Sequence, residues 1–181
     1  MTEQQIVEAI KRGSRQAMRA LYDSLAGFAM ATALRYSPEQ EEAKDILQDS
    51  FLKVFGHFDQ FHYQGEGSLK AWVLKIVSNE AISHLNKQAR IIYTDTLADQ
   101  PEEEEEVDIN PIPPKVLTQM IGSLPPGYRM VFNLHVFEEK SHKEIGHLLG
   151  IKENSSASQF LRAKRILAKL INEYKTRHHE E

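Results

Sequence analysis

Residues 141–170 read SHKEIGHLLGIKENSSASQFLRAKRILAKL, and this stretch indicates the fold most clearly. Ser141 followed three residues later by Glu144 is a capping box, which predicts that a helix begins here. Gly150 suits the left-handed position at which that short helix would end. A longer helix is predicted from about residue 153, because apolar residues recur at helical spacing: Phe160, Ala163, Leu167 and Leu170. A short helix, a glycine turn and a long helix together predict a helix-turn-helix motif.

The polar residues of the longer helix suggest what the motif binds. We predict that four of them share one face, away from the apolar stripe, with Arg165 further along: Ser155, Ser158, Gln159 and Arg162. Hydroxyl and amide groups can read base edges, while arginine contacts phosphates or guanine. An ordinary solvated face of a surface helix would carry similar residues. The capping box and the glycine turn favour DNA binding by the second helix of the motif.

The remainder of the chain predicts further helices. In the first half, helix starts are predicted at Thr2, at Ser14 and at the pair Ser37-Pro38. Another helix is predicted after a glycine-containing loop at residues 63–68. In the second half, apolar spacing predicts two helices before the motif, separated by Pro125-Pro126. Because strand-like alternation is not found, the sequence predicts an all-α fold with an N-terminal helical bundle and a C-terminal helix-turn-helix domain.

The charge of the chain is unevenly distributed. The formal net charge of the 181 residues is -4. Residues 1–94 carry 11 basic and 11 acidic side chains, residues 95–112 carry 0 and 8, and residues 113–181 carry 11 and 7. The three segments therefore carry 0, -8 and +4. A short acidic segment accounts for the negative sign, and the C-terminal segment is basic, as a DNA-binding domain would be.

That acidic segment, residues 95–112, predicts a linker. It contains five consecutive glutamates at 102–106, and prolines lie on either side at 101 and 111. Like charges at this density repel each other and disfavour a packed element. We therefore predict three parts: a domain at 1–94, a flexible acidic linker at 95–112 and a helix-turn-helix domain at 113–181.

Several classes of protein are disfavoured by composition and spacing. The absence of cysteine excludes disulfide frameworks and thiolate metal sites. The pairs His57/His62 and His142/His147 are five residues apart, which does not place both rings on one helix face. Phosphate-binding glycine loops and nucleophile motifs are not found. We expect no metal, no cofactor and no catalytic residue, and we expect a cytoplasmic protein without membrane insertion.

Two sets of motifs, in the correct order, resemble the extracytoplasmic-function (ECF) sigma factors of bacterial RNA polymerase. In the first half the resemblance is carried by KDILQDSFLKVF at 44–55, by Phe61, by GEGSL at 65–69 and by AWVLKIVSN at 71–79. In the second half it is carried by LPP at 124–126, by residues 141–150 and by residues 153–167, including RAK at 162–164. The resemblance extends from about residue 14 to residue 171.

The resemblance implies roles for particular residues. It assigns contact with the clamp coiled coil of RNA polymerase to Asp45, Gln48, Asp49 and Leu52. It assigns reception of a base flipped out of the minus-ten element to Tyr63, Gln64, Gly65, Glu66, Gly67 and Ser68, with strand or backbone contacts from Lys75 and Asn79. It assigns the minus-thirty-five element to Ser155, Ser158, Gln159, Arg162 and Arg165. Members of this family have no catalytic residue, because polymerase does the chemistry.

The resemblance thus implies a sigma factor whose partners are core RNA polymerase and promoter DNA, with an anti-sigma factor as a possible third partner. One alternative is a sigma-like adaptor that binds an anti-sigma protein without initiating transcription. Such an adaptor would be expected to lose the loop at 63–68 and the basic helix, and this chain keeps both. A helix-turn-helix repressor would leave the motif at 44–55 unexplained, and an enzyme is least favoured.

Two local features refine these expectations. Where the family often has a basic residue, a serine and another basic residue, this chain has Ala157, Ser158 and Gln159, so base reading should depend more on serine and glutamine. Phe58, Phe61 and Trp72 lie on apolar stripes or at their ends, so we expect them in the core. Tyr63 lies in the polar glycine loop, where it could stack on a base.

Overall fold

A computed structural model describes residues 1–87, 109 and 112–178, and these residues divide into two compact units. In the first unit, α1 (Glu3–Lys11), α2 (Arg15–Tyr36), α3 (Gln40–Gly56), a one-turn 3₁₀ helix (Phe58–Gln60) and α4 (Ser68–Lys87) follow one another. In the second, α5 (Pro114–Gly122), α6 (Pro126–Val136), α7 (His142–Leu149) and α8 (Glu153–His178) do so. The predicted all-α, two-part architecture is confirmed, and the described residues contain no strand.

The first unit is a bundle in which α2, α3 and α4 pack against one another. Small residues at helix contacts, such as Ala29 and Ala43, are completely buried and allow the helices to approach closely. Larger apolar side chains fill the space between them, and these include Leu21, Ile46, Val54, Val73 and Val77. The apolar stripes identified in the sequence therefore form the core of this unit.

Two of the predicted helix starts are confirmed and one is wrong. Thr2 and Gln5 form the capping box of α1, and the Ser14 hydroxyl accepts a hydrogen bond from the amide of Ala17 at the start of α2. Ser37 does not cap α3, which begins at Gln40 without a side-chain cap. Ser37 instead ends α2 and donates to the carboxylate of Glu42 at 2.6 Å.

The second unit contains the predicted helix-turn-helix. Ser141 and Glu144 form the capping box of α7, and Gly150 ends that helix with a φ of 69°. The turn brings the chain back against α7 at Gly146, where an added Cβ would lie 2.7 Å from the carbonyl oxygen of Ile151. A cluster formed by Ile121, Leu124, Ala163 and Leu167 joins α5 to α8.

A buried arginine closes the corner between α5 and α6. Arg129 is 7% exposed and donates to the carbonyl oxygens of Gly122, at 2.6 Å, and Leu124, at 3.3 Å. Gly122 is the last residue of α5, where helical carbonyls lack partners within the helix, and Leu124 lies two residues further on. One basic side chain of the C-terminal segment is therefore structural.

The predicted acidic linker, residues 95–112, lies outside the described residues except at Ile109 and Ile112. The amide of Ile112 donates to the carbonyl oxygen of Ile109 at 2.9 Å, and Ile112 is buried. None of the described helices combines the length and apolar character needed to cross a bilayer.

Candidate functional site

An exposed stripe runs along α3, and we call Asp45, Gln48, Asp49 and Leu52 the α3 stripe. The other three residues follow Asp45 by three, four and seven positions, which places all four on one side of a helix. All four are exposed, whereas the intervening Ile46 and Leu47 are buried. Leu52 is 65% exposed, so its apolar side chain is available for burial against a partner. The stripe thus presents two carboxylates, an amide and an apolar side chain on one accessible surface.

The glycine loop, residues 63–68, is held in a tight turn by its own hydrogen bonds. The hydroxyl of Ser68 donates to the carbonyl oxygen of Gly65 at 2.6 Å and accepts from the amide of Gln64 at 3.2 Å. Gly65 and Gly67 have φ values of 115° and 88°, which side chains other than glycine rarely adopt. Gln64, Glu66 and Gly67 are exposed, and the other three loop residues are half-buried.

The sequence did not indicate a partner for this loop, and the structure supplies one in α1. The carboxylate of Glu3 accepts hydrogen bonds from the amides of Gly67 and Leu69 at 2.9 and 3.0 Å. Lys11 donates to the carbonyl oxygen of Phe61 at 2.6 Å. A signal was present at Gly67, which precedes a helix without offering a capping side chain, but nothing in the sequence identified the residue that caps it.

Three aromatic rings from residues that flank the loop in the chain pack against one another. Phe58, Phe61 and Trp72 lie with their ring centroids 5.0 to 5.9 Å apart. Phe58 and Phe61 are each 4% exposed, which confirms their expected place in the core. Trp72 is half-buried, so the core prediction holds for it only in part. Tyr63, which we expected to be accessible, is also half-buried.

Lys75 and Asn79 are exposed one helical turn apart on α4, as their predicted role requires. Asn79 also lines a cavity of about 360 Å³, together with Trp72 and Ile76 of the same helix. Lys53 of α3 forms an ion pair with Glu80 at the edge of this cavity. The Glu80 side chain is only 10% exposed, so Lys53 supplies the charge that a buried carboxylate needs.

The face predicted for α8 is wrong for two of its residues. Gln159 is 1% exposed and Ser155 is 7% exposed, so neither presents its side chain to solvent. Ser155, Gln159, Ala163, Leu167 and Ile171 recur every four residues, and this spacing places them together on the buried side of α8. The side-chain nitrogen of Gln159 has no hydrogen-bond partner. The polarity of Ser155 and Gln159 had indicated exposure, but both side chains are buried.

The remaining predicted residues of α8 lie along another line of the helix. Ser158, Arg162 and Arg165 are half-buried at spacings of four and three residues. Arg162 lies 3.5 Å from the hydroxyl of Tyr128 in α6. Asn154, four residues before Ser158, is exposed and extends this line toward the start of the helix. Asn154 was not predicted as a site residue, because only the position of the buried side of α8 identifies it.

Two histidines stack beside the start of α8. The rings of His135 and His142 lie 4.4 Å apart and are nearly parallel, at 12°, and Phe160 packs against both. The Nδ1 atom of His135 lies 2.8 Å from the carbonyl oxygen of Lys140, and that of His142 lies 2.9 Å from the Ser156 hydroxyl. Burial, and then the neighbouring His135, lower the pKa of His142, while Glu153 acts in the opposite direction. Among the described residues, groups of three metal-ligating side chains are not found.

The lowered pKa of His142 predicts that acid loosens the helix-turn-helix. Because the folded state resists protonation of His142, its contribution to stability is present above the unfolded pKa of about 6.5 and is lost as the pH falls below it. His142→Asn keeps a polar atom near Ser156 but cannot titrate, so the variant should lose less stability in acid. Amide hydrogen exchange in α7 and α8, compared between variant and unchanged protein at pH 7.5 and 5.5, measures this. His147→Asn, at an exposed position of the same helix, should match the unchanged protein; equal acid sensitivity of His142→Asn would contradict the prediction.

Comparison with known proteins identifies relatives for both units. The family described as sigma-70 region 2 matches residues 21–91, and the family described as sigma-70 region 4 matches residues 115–167. These matches together cover more than half of the chain. The first match contains the α3 stripe and the glycine loop, and the second contains nearly all of α5, the whole of α6 and α7, and the first part of α8.

Individual proteins that resemble this chain share about a quarter of their residues with it or fewer. The ECF RNA polymerase sigma factor SigM of Bacillus subtilis is 25% identical over 148 residues, which cover 77% of this chain and 85% of SigM. The ECF RNA polymerase sigma factor SigW of the same organism is 23% identical over 181 residues, which cover 92% of this chain and 95% of SigW. Among solved structures, the sigma factor RpoE in complex with the anti-sigma factor NepR from Bartonella quintana is 21% identical, with a TM-score of 0.47 and coverage of 85% of this chain and 96% of that one.

Proposed function

Because this chain belongs to the sigma-70 family as an ECF sigma factor, we propose that it directs core RNA polymerase to a specific set of promoters and helps to open them. Sigma factors bind core polymerase and promoter DNA, and they are transcription factors rather than enzymes. This chain would act in the cytoplasm, where both partners are found. Its parts would be a polymerase-binding and melting domain at 1–94, a linker at 95–112 and a DNA-binding domain at 113–181.

The α3 stripe is the proposed contact with polymerase, and its geometry is the observation that carries the proposal. It combines an exposed leucine with charged and polar neighbours on one helix face. Such a surface gains from burial of the apolar side chain, while its carboxylates favour a basic partner surface. The buried side of α3 anchors the stripe in the bundle, so it is presented by a rigid element.

The glycine loop and α4 are the proposed contact with the minus-ten element. Extruding a base from a duplex costs a few kcal/mol. A receiving surface that is already formed loses less conformational entropy when it binds the base. The loop's internal hydrogen bonds, and the packing of Phe61 against Trp72 on either side of the loop in the chain, favour such a role. Lys75 and Asn79 would contact the displaced strand or its backbone from the adjoining helix.

The proposed contact with the minus-thirty-five element is the line formed by Asn154, Ser158, Arg162 and Arg165 on α8. Asn154 and Ser158 supply short polar groups near the helix start, where base edges would be read. The two arginines supply phosphate contacts or guanine recognition. Ser155 and Gln159 are buried and would support the helix rather than read bases. The upstream element would therefore be read through fewer side chains than the sequence indicated.

Transcription in vitro tests the proposed function. Core RNA polymerase of the host is combined with the purified chain and a library of host promoter fragments, and the transcripts are sequenced. We expect transcripts that start at a limited set of promoters and are absent with core polymerase alone. A chain that initiates at no fragment would favour the adaptor described above, and a chain that does not bind core polymerase would overturn the proposal.

Replacing Arg165 with alanine should weaken binding of the holoenzyme to a duplex that carries the upstream element. If Arg165 contacts one phosphate, we expect a loss of roughly tenfold in affinity and a salt dependence that is smaller by about one unit of slope. Fluorescence anisotropy at several salt concentrations measures both quantities. Arg177→Ala is the matched control, since Arg177 is exposed in the last turn of the same helix and lies outside the proposed contact line. Equal losses in the two variants would show a general charge effect and contradict the assignment.

A further inference from the structure

The helix that follows the glycine loop cannot cap itself. Gly67 precedes the first residue of α4, and its carbonyl oxygen accepts from the amide of Ala71 at 3.0 Å, so Gly67 occupies the N-cap position. A serine or aspartate at that position normally satisfies the first free amides of a helix. Gly67 has no side chain, and its φ of 88° disfavours any residue that would have one. The loop conformation therefore removes the usual cap.

Glu3, at the start of α1, supplies the missing cap. One carboxylate oxygen of Glu3 accepts from the amide of Gly67 at 2.9 Å, and the other accepts from the amide of Leu69 at 3.0 Å. The second oxygen also lies 3.4 Å from the hydroxyl of Ser68. A carboxylate at the positive end of a 20-residue helix interacts favourably with the helix dipole as well. Glu3 thus joins the last loop residues to α1.

Helix α1 also binds the chain just before the glycine loop. Lys11 donates to the carbonyl oxygen of Phe61 at 2.6 Å, two residues before the loop starts. Phe61 is fixed by its packing against Phe58 and Trp72. Glu3 and Lys11 are the first and last residues of α1, about 12 Å apart along the helix axis at its usual rise. A short helix therefore spans the loop and binds the backbone at both of its ends.

We propose that α1 is a positioning element for promoter opening, in which Glu3 and Lys11 hold the glycine loop in the conformation that receives the flipped base. This inference rests on the proposed function. A loop held in advance loses less conformational freedom when it binds DNA, so the equilibrium for capture of the base is more favourable. Neither residue needs to touch DNA, since both act through backbone atoms of the loop. The Thr2–Gln5 capping box stabilises α1, which at nine residues would be marginal alone.

Glu3→Gln tests the proposal with a small change. Glutamine presents one oxygen and one amino group, so one of the two backbone donors loses its partner and the other keeps only an uncharged, weaker acceptor, while side-chain size is kept. The matched control is Glu8→Gln, which makes the same change on the same helix, where the exposed Glu8 side chain contacts Gln4 and Arg12. The full-length chain is assembled with host core polymerase on a duplex promoter that the unchanged holoenzyme has selected from a randomised library.

We expect Glu3→Gln to lower the equilibrium level of open complex about tenfold, measured by the fluorescence of 2-aminopurine in the minus-ten strand. Glu8→Gln should match the unchanged protein, and affinity for core polymerase should be equal in all three. Hydrogen exchange at the amides of Gly67 and Leu69 should accelerate only in Glu3→Gln. Lys11→Met, which releases the other end of the loop, should also reduce opening.

The outcomes separate the two levels of inference. If the unchanged protein forms no open complex on any promoter, the proposed function fails, and the role in promoter opening fails with it. If the unchanged protein opens promoters and Glu3→Gln does so equally well despite faster exchange at Gly67, only the positioning role is overturned. A parallel loss of core polymerase binding and promoter opening in Glu3→Gln would indicate general unfolding of the unit and would also overturn it.

Discussion

Leu52→Lys should lower the affinity of this chain for core RNA polymerase by about 100-fold. Leu52 is 65% exposed, and burying a leucine fully against a partner contributes about 1.5–3 kcal/mol. The variant loses that contribution and brings an ammonium group into the same interface, where its desolvation opposes binding. A factor of 100 corresponds to about 2.7 kcal/mol. Equilibrium binding of the labelled chain to host core polymerase measures the change.

The folded state should tolerate this variant. Lysine forms helices well, and near the end of α3 its charge interacts favourably with the helix dipole. Thermal unfolding of the free chain should therefore be unchanged. Leu52→Met is the matched control, because methionine keeps the apolar contact and should bind within about threefold of the unchanged protein. Full binding by Leu52→Lys would show that polymerase contacts a different surface.

Gly146→Ala should destabilise the C-terminal unit by about 2 kcal/mol. An alanine Cβ at this position would lie 2.7 Å from the carbonyl oxygen of Ile151 and 3.5 Å from the amide nitrogen of Glu153. Both atoms are backbone, so relief requires the turn between α7 and α8 to move, and such overpacking costs about 1–3 kcal/mol. A backbone hydrogen bond also closes this turn, because the amide of Ile151 donates to the carbonyl oxygen of Gly146 at 3.0 Å. Hydrogen exchange at the amides of α7 and α8, measured at increasing urea concentration, gives the change in the free energy of unfolding.

Gly27→Ala makes the same substitution where the surroundings are open. Gly27 lies within α2, is exposed, and an added Cβ would meet no atom within 4 Å. Alanine is a better helix former than glycine by about 1 kcal/mol, so this variant should be more stable than the unchanged protein. The two variants should therefore shift stability in opposite directions. A stabilised Gly146→Ala would show that the turn adjusts without cost and that the close approach does not constrain the motif.

Much of the fold could be predicted because its signals are local. The capping boxes at Thr2 and Ser141 and the left-handed Gly150 all lie where the sequence placed them. Each of these features depends on residues within a few positions of one another. The helix start predicted at Ser37-Pro38 was wrong for a related reason. Its serine could serve either the end of α2 or the start of α3, and it ends α2 while donating to the carboxylate of Glu42.

The candidate surfaces were predicted less evenly. The resemblance assigned the α3 stripe, and its four residues are exposed on the side of α3 opposite the buried residues, while their contact with polymerase stays a prediction. On α8 the apolar stripe misplaced Ser155 and Gln159, since polar residues lie on the buried side of this helix and the stripe alone did not define that side. When the packed side of a helix is partly polar, its sequence does not show which side is buried. The neighbouring helices that pack against it then determine which side that is.

By itself, the sequence determined the all-α class, the helix-turn-helix, the basic character of the C-terminal segment and the family to which the chain belongs. These follow from periodicity, caps and short motifs, all of which act over one or two helical turns. Only the tertiary structure decided which side of α8 is accessible and how the glycine loop is held. The Glu3 carboxylate caps a helix that begins 65 positions later in the chain. A contact of that kind depends on how whole helices pack, because neither partner carries a local sign of the other.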